Sequence, residues 1–323
     1  MRILVTGGAG FVGSNLCEKL LKQGHTVACL DNLQTGQRKN VDYLFEKYRP
    51  KFTWIQKDVI DDDMSFYYDM FEQIYHLACP ASPPKYQKDP IHTMMTNVVG
   101  TKNILECARQ SNENCRVLLT STSEIYGDPL EHPQKETYRG NVNPNGPRAC
   151  YDEGKRAAET LMYDYQRLFG VEVRVARIFN TYGPGMDLDD GRVVTNFIKQ
   201  IIKNEPVTIY GSGEQTRSLC YIDDQVEGLI ALMNSDYSNP VNIGNPNELT
   251  INQLAQEIHE LVDTDVPLDY ARMELPKDDP TRRCPDISVA MKELGWSPKV
   301  GRREGLMKTI LYAMSQLNDD ESN

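Results

Sequence analysis

The chain reads Thr6-Gly7-Gly8-Ala9-Gly10-Phe11-Val12-Gly13 directly after a short apolar run that ends at Val5. Downstream, apolar residues recur with the spacing of one helix face at Val12, Leu16, Leu20 and Leu21. Glycines between a strand and a helix permit a tight turn and let the helix pack closely on the strand. This stretch therefore predicts the first strand, turn and helix of an α/β sheet.

The same alternation of strands and helices continues through the first half of the chain. Further strands are predicted over residues 26–30, 52–55, 73–77, 116–120 and 171–178, and the main helices over residues 97–110 and 151–169. Strands that alternate with helices form a parallel sheet that is covered on both faces. We expect an α/β fold with a Rossmann-type, doubly wound parallel sheet.

The chain is long enough for two lobes, because its 323 residues exceed what one ordinary core fills. A loop rich in Gly, Pro and Asp over residues 180–191 separates the regular first half from a less regular second half. We expect a cofactor-binding domain over residues 1–179 and a smaller, partly interleaved α/β substrate domain over residues 180–323. Three smaller features are predicted: a strand at 241–243 that returns to the main sheet, a helix at 288–294, and a disordered acidic tail after Leu317.

Composition restricts the partners and the compartment. The net charge of −11 and the pI near 5.0 argue against nucleic acid or an anionic membrane as the main partner. No apolar run approaches the roughly 20 residues of a membrane span, and a strand that begins at Arg2 leaves no room for a signal peptide. The eight cysteines show no C-x-x-C spacing, which favours reduced thiols in a cytoplasmic protein over a metal site or a disulfide framework.

The glycine-rich turn also predicts the class of cofactor. Gly8-x-Gly10-x-x-Gly13 between a strand and a helix is the dinucleotide fingerprint in its required context. Asp31 ends the second predicted strand, where a carboxylate can bind the ribose 2′-hydroxyl. The same carboxylate would repel a 2′-phosphate, so NAD is favoured over NADP, while the fingerprint alone leaves a flavin open.

Tyr151 and Lys155 are four residues apart within a predicted helix, so their side chains share one face. An ammonium group beside a phenol favours the phenolate, which brings tyrosine from its usual pKa of about 10 toward that of a useful general base. Together with a bound dinucleotide, the pair predicts a site that moves a proton and a hydride.

These motifs, in this order, resemble those of the extended short-chain dehydrogenase/reductase superfamily, whose members act largely on nucleotide sugars. The resemblance extends over nearly the whole chain and includes Asp58-Val59, His76-Leu77-Ala78, Asn97-x-x-Gly100-Thr101, residues 121–127 and Asn180-Thr181-Tyr182-Gly183-Pro184. It implies NAD as the cofactor and a homodimer formed through the helices near 97–110 and 151–169. The implied cofactor-binding residues are Gly7, Gly10, Phe11, Val12, Gly13, Asp31, Asn32, Thr35, Gly36, Asp58, Val59, Leu77, Ala78, Thr96, Tyr151 and Lys155.

The residues before Tyr126 distinguish the reactions within the superfamily. The 4,6-dehydratases carry Asp-Glu at this point, an acid and a base for the elimination of water, whereas this chain has Ser123-Glu124 after Thr122. Longer stretches around residues 79–86, 120–129, 146–155 and 190–194 are similar to the UDP-glucuronate decarboxylases. That similarity implies Tyr151, Lys155, Thr122 and Glu124 as the catalytic residues.

An acidic protein that binds a diphosphate must gather cations locally, and arginine suits phosphate oxygens. The resemblance implies Arg217 and Arg283 as diphosphate contacts, with Arg282 left in solvent. The implied substrate-binding residues are Tyr86, Asn180, Arg192, Tyr210, Arg217 and Arg283. One position departs from the pattern, since Met95 stands where related decarboxylases often carry lysine.

Two rival functions stay open at this point. The first is another nucleotide-sugar enzyme of the same superfamily, a 4-epimerase or a 4,6-dehydratase, which the product made from UDP-glucuronate would reveal. The second is a catalytically silent scaffold that binds NAD. The presence of Tyr151, Lys155, Thr122 and Glu124 argues against the scaffold, which has no need of them.

Overall fold

The computed structural model describes residues 1–61, 70–111, 115–276 and 278–321. The strands are β1 (Arg2–Thr6), β2 (Thr26–Asp31), β3 (Phe52–Gln56), β4 (Gln73–His76), β5 (Arg116–Thr122), β6 (Glu172–Ile178), β7 (Thr181–Tyr182), β8 (Val207–Tyr210), β9 (Thr216–Ser218), β10 (Cys220–Tyr221), β11 (Val241–Ile243), β12 (Glu248–Thr250), β13 (Tyr270–Met273) and β14 (Arg282–Arg283). The helices are α1 (Phe11–Lys22), α2 (Arg38–Tyr48), α3 (Pro83–Tyr86), α4 (Pro90–Met95), α5 (Thr101–Arg109), α6 (Ala149–Phe169), α7 (Val193–Ile202), α8 (Ile222–Asn234), α9 (Ile251–Val262), α10 (Ser288–Leu294) and α11 (Arg302–Glu321). A π-helical turn (Thr96–Gly100) joins α4 to α5, and a 3-10 turn (Ser123–Tyr126) follows β5.

The main sheet has seven strands in the order β11-β6-β5-β4-β1-β2-β3, and all of its described pairings are parallel. Its order reverses between β1 and β4, so the carboxyl ends of these strands flank the crevice where such sheets bind ligands. The predicted doubly wound Rossmann-type sheet is confirmed. Strand β11 pairs with β6, so the second half of the chain does contribute to this sheet.

The core lies on both faces of the sheet because alternate residues of each buried strand point to opposite sides. In β1, Ile3 and Val5 belong to one apolar cluster, which continues into α1, α7, α8 and α9. Leu4 belongs to the other cluster, which is completed by α5 and α6. The runs of consecutive apolar residues in these strands are the pattern of a sheet that is buried on both sides.

Three smaller sheets complete the structure and bring the second half of the chain over the carboxyl edge of the main sheet. In one of them β9 is the middle strand, antiparallel to β12 and parallel to β14. In another, β7 pairs with β10, so the predicted loop over residues 180–191 contains a short strand that the sequence analysis missed. Because β7 is only two residues long, Thr181–Tyr182, its apolar pattern is too short to be detected.

The tail was also interpreted wrongly. Helix α11 continues to Glu321, past the point after Leu317 where disorder was predicted, and residues 322–323 lie outside the described residues. The first half of this helix is anchored by the buried residues Leu306, Ile310 and Ala313. Among the helices of the described residues, none is long and apolar enough to cross a membrane.

Candidate active site

The glycine turn forms a cradle between β1 and α1. Gly7 has a φ of +72°, and a Cβ atom added there would meet the backbone of Leu77 and Ala78 at 2.8 Å, so the turn lies directly against the end of β4. A Cβ atom on Gly13 would come within 2.1 Å of the Gly7 carbonyl oxygen. Helix α1 begins behind this turn without a side-chain cap or an acidic residue in its first turn. Its free N–H groups therefore face a space that suits phosphate.

Asp31 lies beside this cradle at the carboxyl end of β2. Its side chain is buried, and its Oδ2 and Oδ1 atoms accept hydrogen bonds from the Ala9 N–H (3.0 Å) and the Leu33 N–H (2.8 Å). Burial raises the pKa of Asp31, while the two backbone donors lower it. Gly36 leaves room next to the carboxylate, since a Cβ atom there would lie 2.8 Å from Asp31 Oδ1. Cradle and carboxylate together fit a dinucleotide.

A third wall of this space comes from the segment after β3. Asp58 Oδ2 accepts a hydrogen bond from Asn32 Nδ2 (2.6 Å) and lies 3.0 Å from His92 Nε2. Val59 packs under the π-helical turn, where a Cβ atom on Gly100 would meet Val59 Cγ2 at 2.6 Å. His92, on α4, was not predicted as a site residue, although it lies only five residues before the motif that begins at Asn97.

Tyr151 and Lys155 both lie on α6 and are buried, but they do not form a direct pair. Lys155 Nζ donates to the Thr120 carbonyl oxygen (2.9 Å) and lies 5.9 Å from the centre of the Tyr151 ring. The Tyr151 ring stacks on Tyr86 with a centroid distance of 5.0 Å and an interplanar angle of 2°. This stack fixes the plane of the phenol at the bottom of the cavity.

The pKa of Tyr151 departs from the prediction. Burial raises it above its ordinary value, and the neighbouring Cys79 thiol adds to the rise. A hydrogen bond with Thr122 and the charge of Arg192 lower it by less. Burial also lowers the pKa of Lys155. The chain alone therefore does not hold Tyr151 as a phenolate, because desolvation disfavours the charged form of both groups.

A buried ion pair joins α6 to the strands beside it. Arg177 on β6 donates to both oxygens of Glu159 on α6, from Nε (3.0 Å) and Nη2 (2.8 Å), and Ser121 Oγ on β5 donates to Glu159 Oε1 (2.5 Å). Arg177 Nη1 also donates to the hydroxyl of Tyr126 (3.1 Å), the last residue of the 3-10 turn that carries Glu124. This network holds the helix of Tyr151 and the turn of Glu124 in one fixed relation.

Glu124 is surrounded by arginines. Arg148 Nη2 donates to Glu124 Oε2 (2.5 Å), and Arg283 Nη2 lies 3.4 Å from the same oxygen. Arg283 Nη1 also donates to the Ser123 carbonyl oxygen. Although burial acts to raise it, the pKa of Glu124 is lowered to about 2 by the charges of Arg283 and Arg148. Glu124 is therefore a carboxylate at any physiological pH.

A second carboxylate, Asp279, extends this cluster toward the cavity mouth. Arg148 Nη1 donates to Asp279 Oδ1 (3.2 Å), and Arg217 Nη2 donates to Asp279 Oδ2 (2.9 Å). Burial, together with the nearby Glu124, raises the pKa of Asp152 to about 8. With Asp152 neutral, three guanidinium groups face two carboxylates, which leaves a local positive charge in an acidic protein.

Sequence reasoning missed Arg148, Asp279 and Asp152. Arg148 and Asp152 lie in the stretch over residues 146–155, and Asp279 lies four residues before Arg283. Two of these residues therefore lie within a recognised stretch. The contact between Arg148 and Asp279, however, joins two segments that are more than 100 residues apart in the chain.

One cavity of about 680 Å³ joins these groups. Every residue predicted to bind cofactor or substrate, or to act in catalysis, lines it, from Gly7 in the cradle to Tyr210 at the opposite end. Arg192 lines it with Nε 2.9 Å from Asp190 Oδ2, and Tyr210 is 40% exposed. Met95 is exposed on α4, and Arg282 is exposed on β14. Asn180 contributes to the same wall just before β7.

We expect Gly13→Ala to lose the bound dinucleotide and to destabilise the protein. The added methyl would overlap the Gly7 carbonyl oxygen, so the cradle must open. Overpacking of this kind costs about 1–3 kcal/mol. The measurements are the dinucleotide content of the purified protein and its thermal midpoint. Gly301→Ala is the matched control, because a Cβ atom there meets nothing within 4 Å. Full dinucleotide content in Gly13→Ala would show that the cradle is not the phosphate site.

Comparison with known proteins agrees with this geometry. The family described as GDP-mannose 4,6 dehydratase matches residues 4–309. A UDP-glucuronic acid decarboxylase 1 from Arabidopsis thaliana is 53% identical over 99% of this chain and 72% of its own length. The protein of the same name from Xenopus tropicalis is 52% identical over 100% of this chain and 74% of its own length.

Solved structures show the same fold with ligands in place. The UDP-glucuronic acid 4-epimerase of Bacillus cereus, in complex with UDP-glucuronic acid and NAD, has a TM-score of 0.87 at 27% identity, covering 98% of this chain and 100% of its own. The UDP-glucose 4-epimerase of Thermotoga maritima, with UDP-glucose, has a TM-score of 0.88 at 29% identity, covering 98% of this chain and 100% of its own. The chain therefore belongs to the GDP-mannose 4,6-dehydratase family of extended short-chain dehydrogenases/reductases, and within it to the UDP-glucuronic acid decarboxylases.

Proposed function

We propose that this protein converts UDP-glucuronate to UDP-xylose and CO2 with NAD as a bound cofactor. The observation that carries this proposal is the environment of Glu124, which two buried arginines hold as a carboxylate in the cavity that Tyr151 also lines. A dehydratase needs an acid beside its base, and here Ser123 takes the place of that acid. Arginines beside the reacting end of the sugar suit a substrate that carries a carboxylate of its own.

The chemistry explains why a redox cofactor serves a reaction with no net oxidation. Loss of CO2 from a plain sugar acid would leave a carbanion at C5 with no acceptor for its electron pair. A ketone at C4 is β to the C6 carboxylate, so the pair moves into an enolate when the C5–C6 bond breaks. A proton then adds at C5, and reduction at C4 gives the pentose. NAD, when bound, supplies the acceptor for the C4 hydride and returns it at the end.

Tyr151 is proposed to take the proton of the 4-hydroxyl group. Thr122 shares a hydrogen bond with this phenol and is placed to contact the same substrate oxygen. Lys155 keeps its ammonium group buried on the Thr120 carbonyl, within 5.9 Å of the ring, so it contributes a positive charge at the base of the site. Because burial raises the pKa of Tyr151, the base is formed only in the assembled complex.

Glu124 and Arg283 are proposed to orient the sugar ring and its C6 carboxylate. The C6 carboxylate, which leaves as CO2, is two bonds away from C4, the carbon that is oxidised. It must therefore lie close to Tyr151. Glu124 is two residues after Thr122, and Arg283 contacts both Glu124 and the Ser123 carbonyl. Arg148, which also lines the cavity, is proposed as a positioning residue because it connects Glu124 to Asp279.

The remaining cations are proposed to hold the nucleotide. Arg217, Arg192 and the partly exposed Tyr210 line the same cavity, and a diphosphate bound there is proposed to meet both guanidinium groups. Asn180 and Tyr86 complete the wall of the sugar site. This arrangement retains the proposed division of the chain, with the cofactor bound by residues 1–179 and the nucleotide sugar largely by residues 180–323.

Incubation of the purified protein with UDP-glucuronate tests the function. We expect CO2 and UDP-xylose, identified by mass and chromatography, without accumulation of NADH. A product that keeps C6 would refute decarboxylation and favour an epimerase or a dehydratase. NADH that accumulates in step with substrate would show that the 4-keto pentose leaves before it is reduced.

We also propose a homodimer through α5 and α6 and a cytoplasmic location. Of the apolar residues on α6, Met162 is fully buried in the core of its own chain, whereas Leu168 is 74% exposed. Leu168 and the adjacent half-exposed Phe169 support an interface at the end of this helix. Buried thiols such as Cys17, Cys29 and Cys220 are consistent with a reducing compartment.

A further inference from the structure

The small sheet β12-β9-β14 has two chemically different faces. Neighbouring residues of a strand point to opposite sides, so Arg217 on β9 and Arg283 on β14, which are paired in register, share one face. That face lines the substrate cavity. Thr216 and Ser218 on β9 must point to the opposite face, which we call the back face.

Arg282, Glu248 and Cys284 also belong to the back face, where Arg282 pairs in register with Thr216. Glu248 on β12 pairs in register with Ser218, and its Oε1 accepts a hydrogen bond from Thr216 Oγ1 (2.6 Å). Cys284 follows Arg283 on β14. Continuing the pairing of β14 with β9 by one residue places Cys284 next to Ser218, across β9 from Glu248. Glu248 and Cys284 therefore flank the same residue of the middle strand.

His132 reaches this face from the loop before α6. Its Nε2 atom lies 2.8 Å from Glu248 Oε2, and the donor atoms of His132, Glu248 and Cys284 all lie within 4.8 Å of one another. The loop is held in place by two hydrogen bonds, since the Gln134 N–H donates to the Cys284 carbonyl and the Cys284 N–H donates to the Gln134 side-chain Oε1, both at 2.9 Å. The three side chains are thus brought together by segments that are already fixed.

Ser218 provides an independent observation. Its side chain is fully buried on the same face, and its Oγ atom has no hydrogen-bond partner among the described residues. A buried hydroxyl without a partner is costly unless something else in the site satisfies it. The side chains of His132 and Glu248 are each 22% exposed, so the cluster can be reached from solvent.

We propose that His132, Glu248 and Cys284 form a binding site for a divalent transition metal ion, with zinc as the best match. A thiolate, an imidazole nitrogen and a carboxylate oxygen are the ligands that zinc takes in proteins, and three of them leave a fourth position for water. A thiolate and a carboxylate also neutralise the charge of a divalent ion. Ser218 Oγ is placed to bind the water in the fourth position.

A metal ion bound on the back face would stabilise the strands that carry Arg217 and Arg283. A metal ion that ties β12, β14 and the loop of His132 together would fix the strand on which Arg283 lies. The spacing of cysteines in the sequence does not predict such a site, because its ligands come from three separate segments. The proposal concerns binding alone and stands apart from the reaction proposed above.

Titration of the chelator-treated full-length chain with Co²⁺ tests the site, because a cysteine ligand produces a thiolate-to-cobalt charge-transfer band. We expect one equivalent of Co²⁺ to develop this band and Zn²⁺ to displace it. Cys284→Ser should abolish the band, and His132→Asn should weaken the affinity at least about tenfold. Zn²⁺ should also raise the thermal midpoint of the wild-type chain and not that of Cys284→Ser.

Cys150→Ser is the control, because Cys150 is half-buried and lies outside the cluster. Its band should equal that of the wild type. A wild-type chain that gives no band at one equivalent would overturn the proposal, as would a band that persists in Cys284→Ser. His132 and Glu248 would then form only a hydrogen bond beside a buried thiol.

Discussion

Replacing Tyr151 with phenylalanine is expected to lower kcat for UDP-glucuronate by about 10²–10⁴-fold, the usual contribution of a positioned general acid–base group. The change removes only the hydroxyl group, and the stack of this ring on Tyr86 stays in place. Substrate binding should therefore change little, because the arginines that hold the nucleotide do not depend on the phenol. Loss of kcat with a nearly constant KM is the signature of a group that acts in the reaction itself.

The rate of UDP-xylose formation, measured by chromatography, gives both constants. Tyr165→Phe is the matched control, because Tyr165 lies on the same helix and its hydroxyl contacts Glu106 away from the cavity. It should turn over like the wild type. Wild-type turnover in Tyr151→Phe would remove this residue from the proposed reaction and transfer the role of base to another group.

The fold and the cofactor site could be predicted because their signals are local. The glycine turn, the apolar strand before it and Asp31 lie within about 30 residues, and each has a single structural explanation. The sequence predicted a doubly wound parallel sheet but not the order of its strands. Short elements such as β7 were missed, since two residues carry no periodicity.

The substrate end of the cavity was predicted less completely because it depends on contacts between distant segments. Arg148 and Asp279 belong to the site through ion pairs that no spacing in the sequence indicates. The expected contact between Lys155 and Tyr151 also differs, since the ammonium group binds the Thr120 carbonyl instead. A helical spacing of four residues places two side chains on one face, but burial and competing acceptors decide which atoms meet.

The sequence and the structure lead to different roles for Arg283. The family resemblance implies that Arg283 contacts the diphosphate, whereas its guanidinium group contacts Glu124 and the Ser123 carbonyl beside the catalytic turn. We therefore expect Arg283→Met to lower kcat/KM for UDP-glucuronate by about 10²–10³-fold. Truncating one partner of a buried, hydrogen-bonded charge pair at a binding site costs about 2–5 kcal/mol, and each 1.4 kcal/mol is a factor of ten. Arg283→Lys should recover part of this loss, because it restores the charge without the planar fork.

Binding of the product distinguishes the two roles of Arg283. UDP-xylose has the diphosphate but lacks the C6 carboxylate, so its inhibition constant should stay near the wild-type value in Arg283→Met if the arginine holds the carboxylate. An equal loss for UDP-xylose would instead assign Arg283 to the diphosphate. Arg282→Met is the control for charge alone, because Arg282 is exposed on the same strand and points away from the cavity side. Arg282 and Arg283 are neighbours on opposite faces of β14, so a large effect confined to Arg283 would show that the alternation of this two-residue strand selects the arginine that serves the reaction.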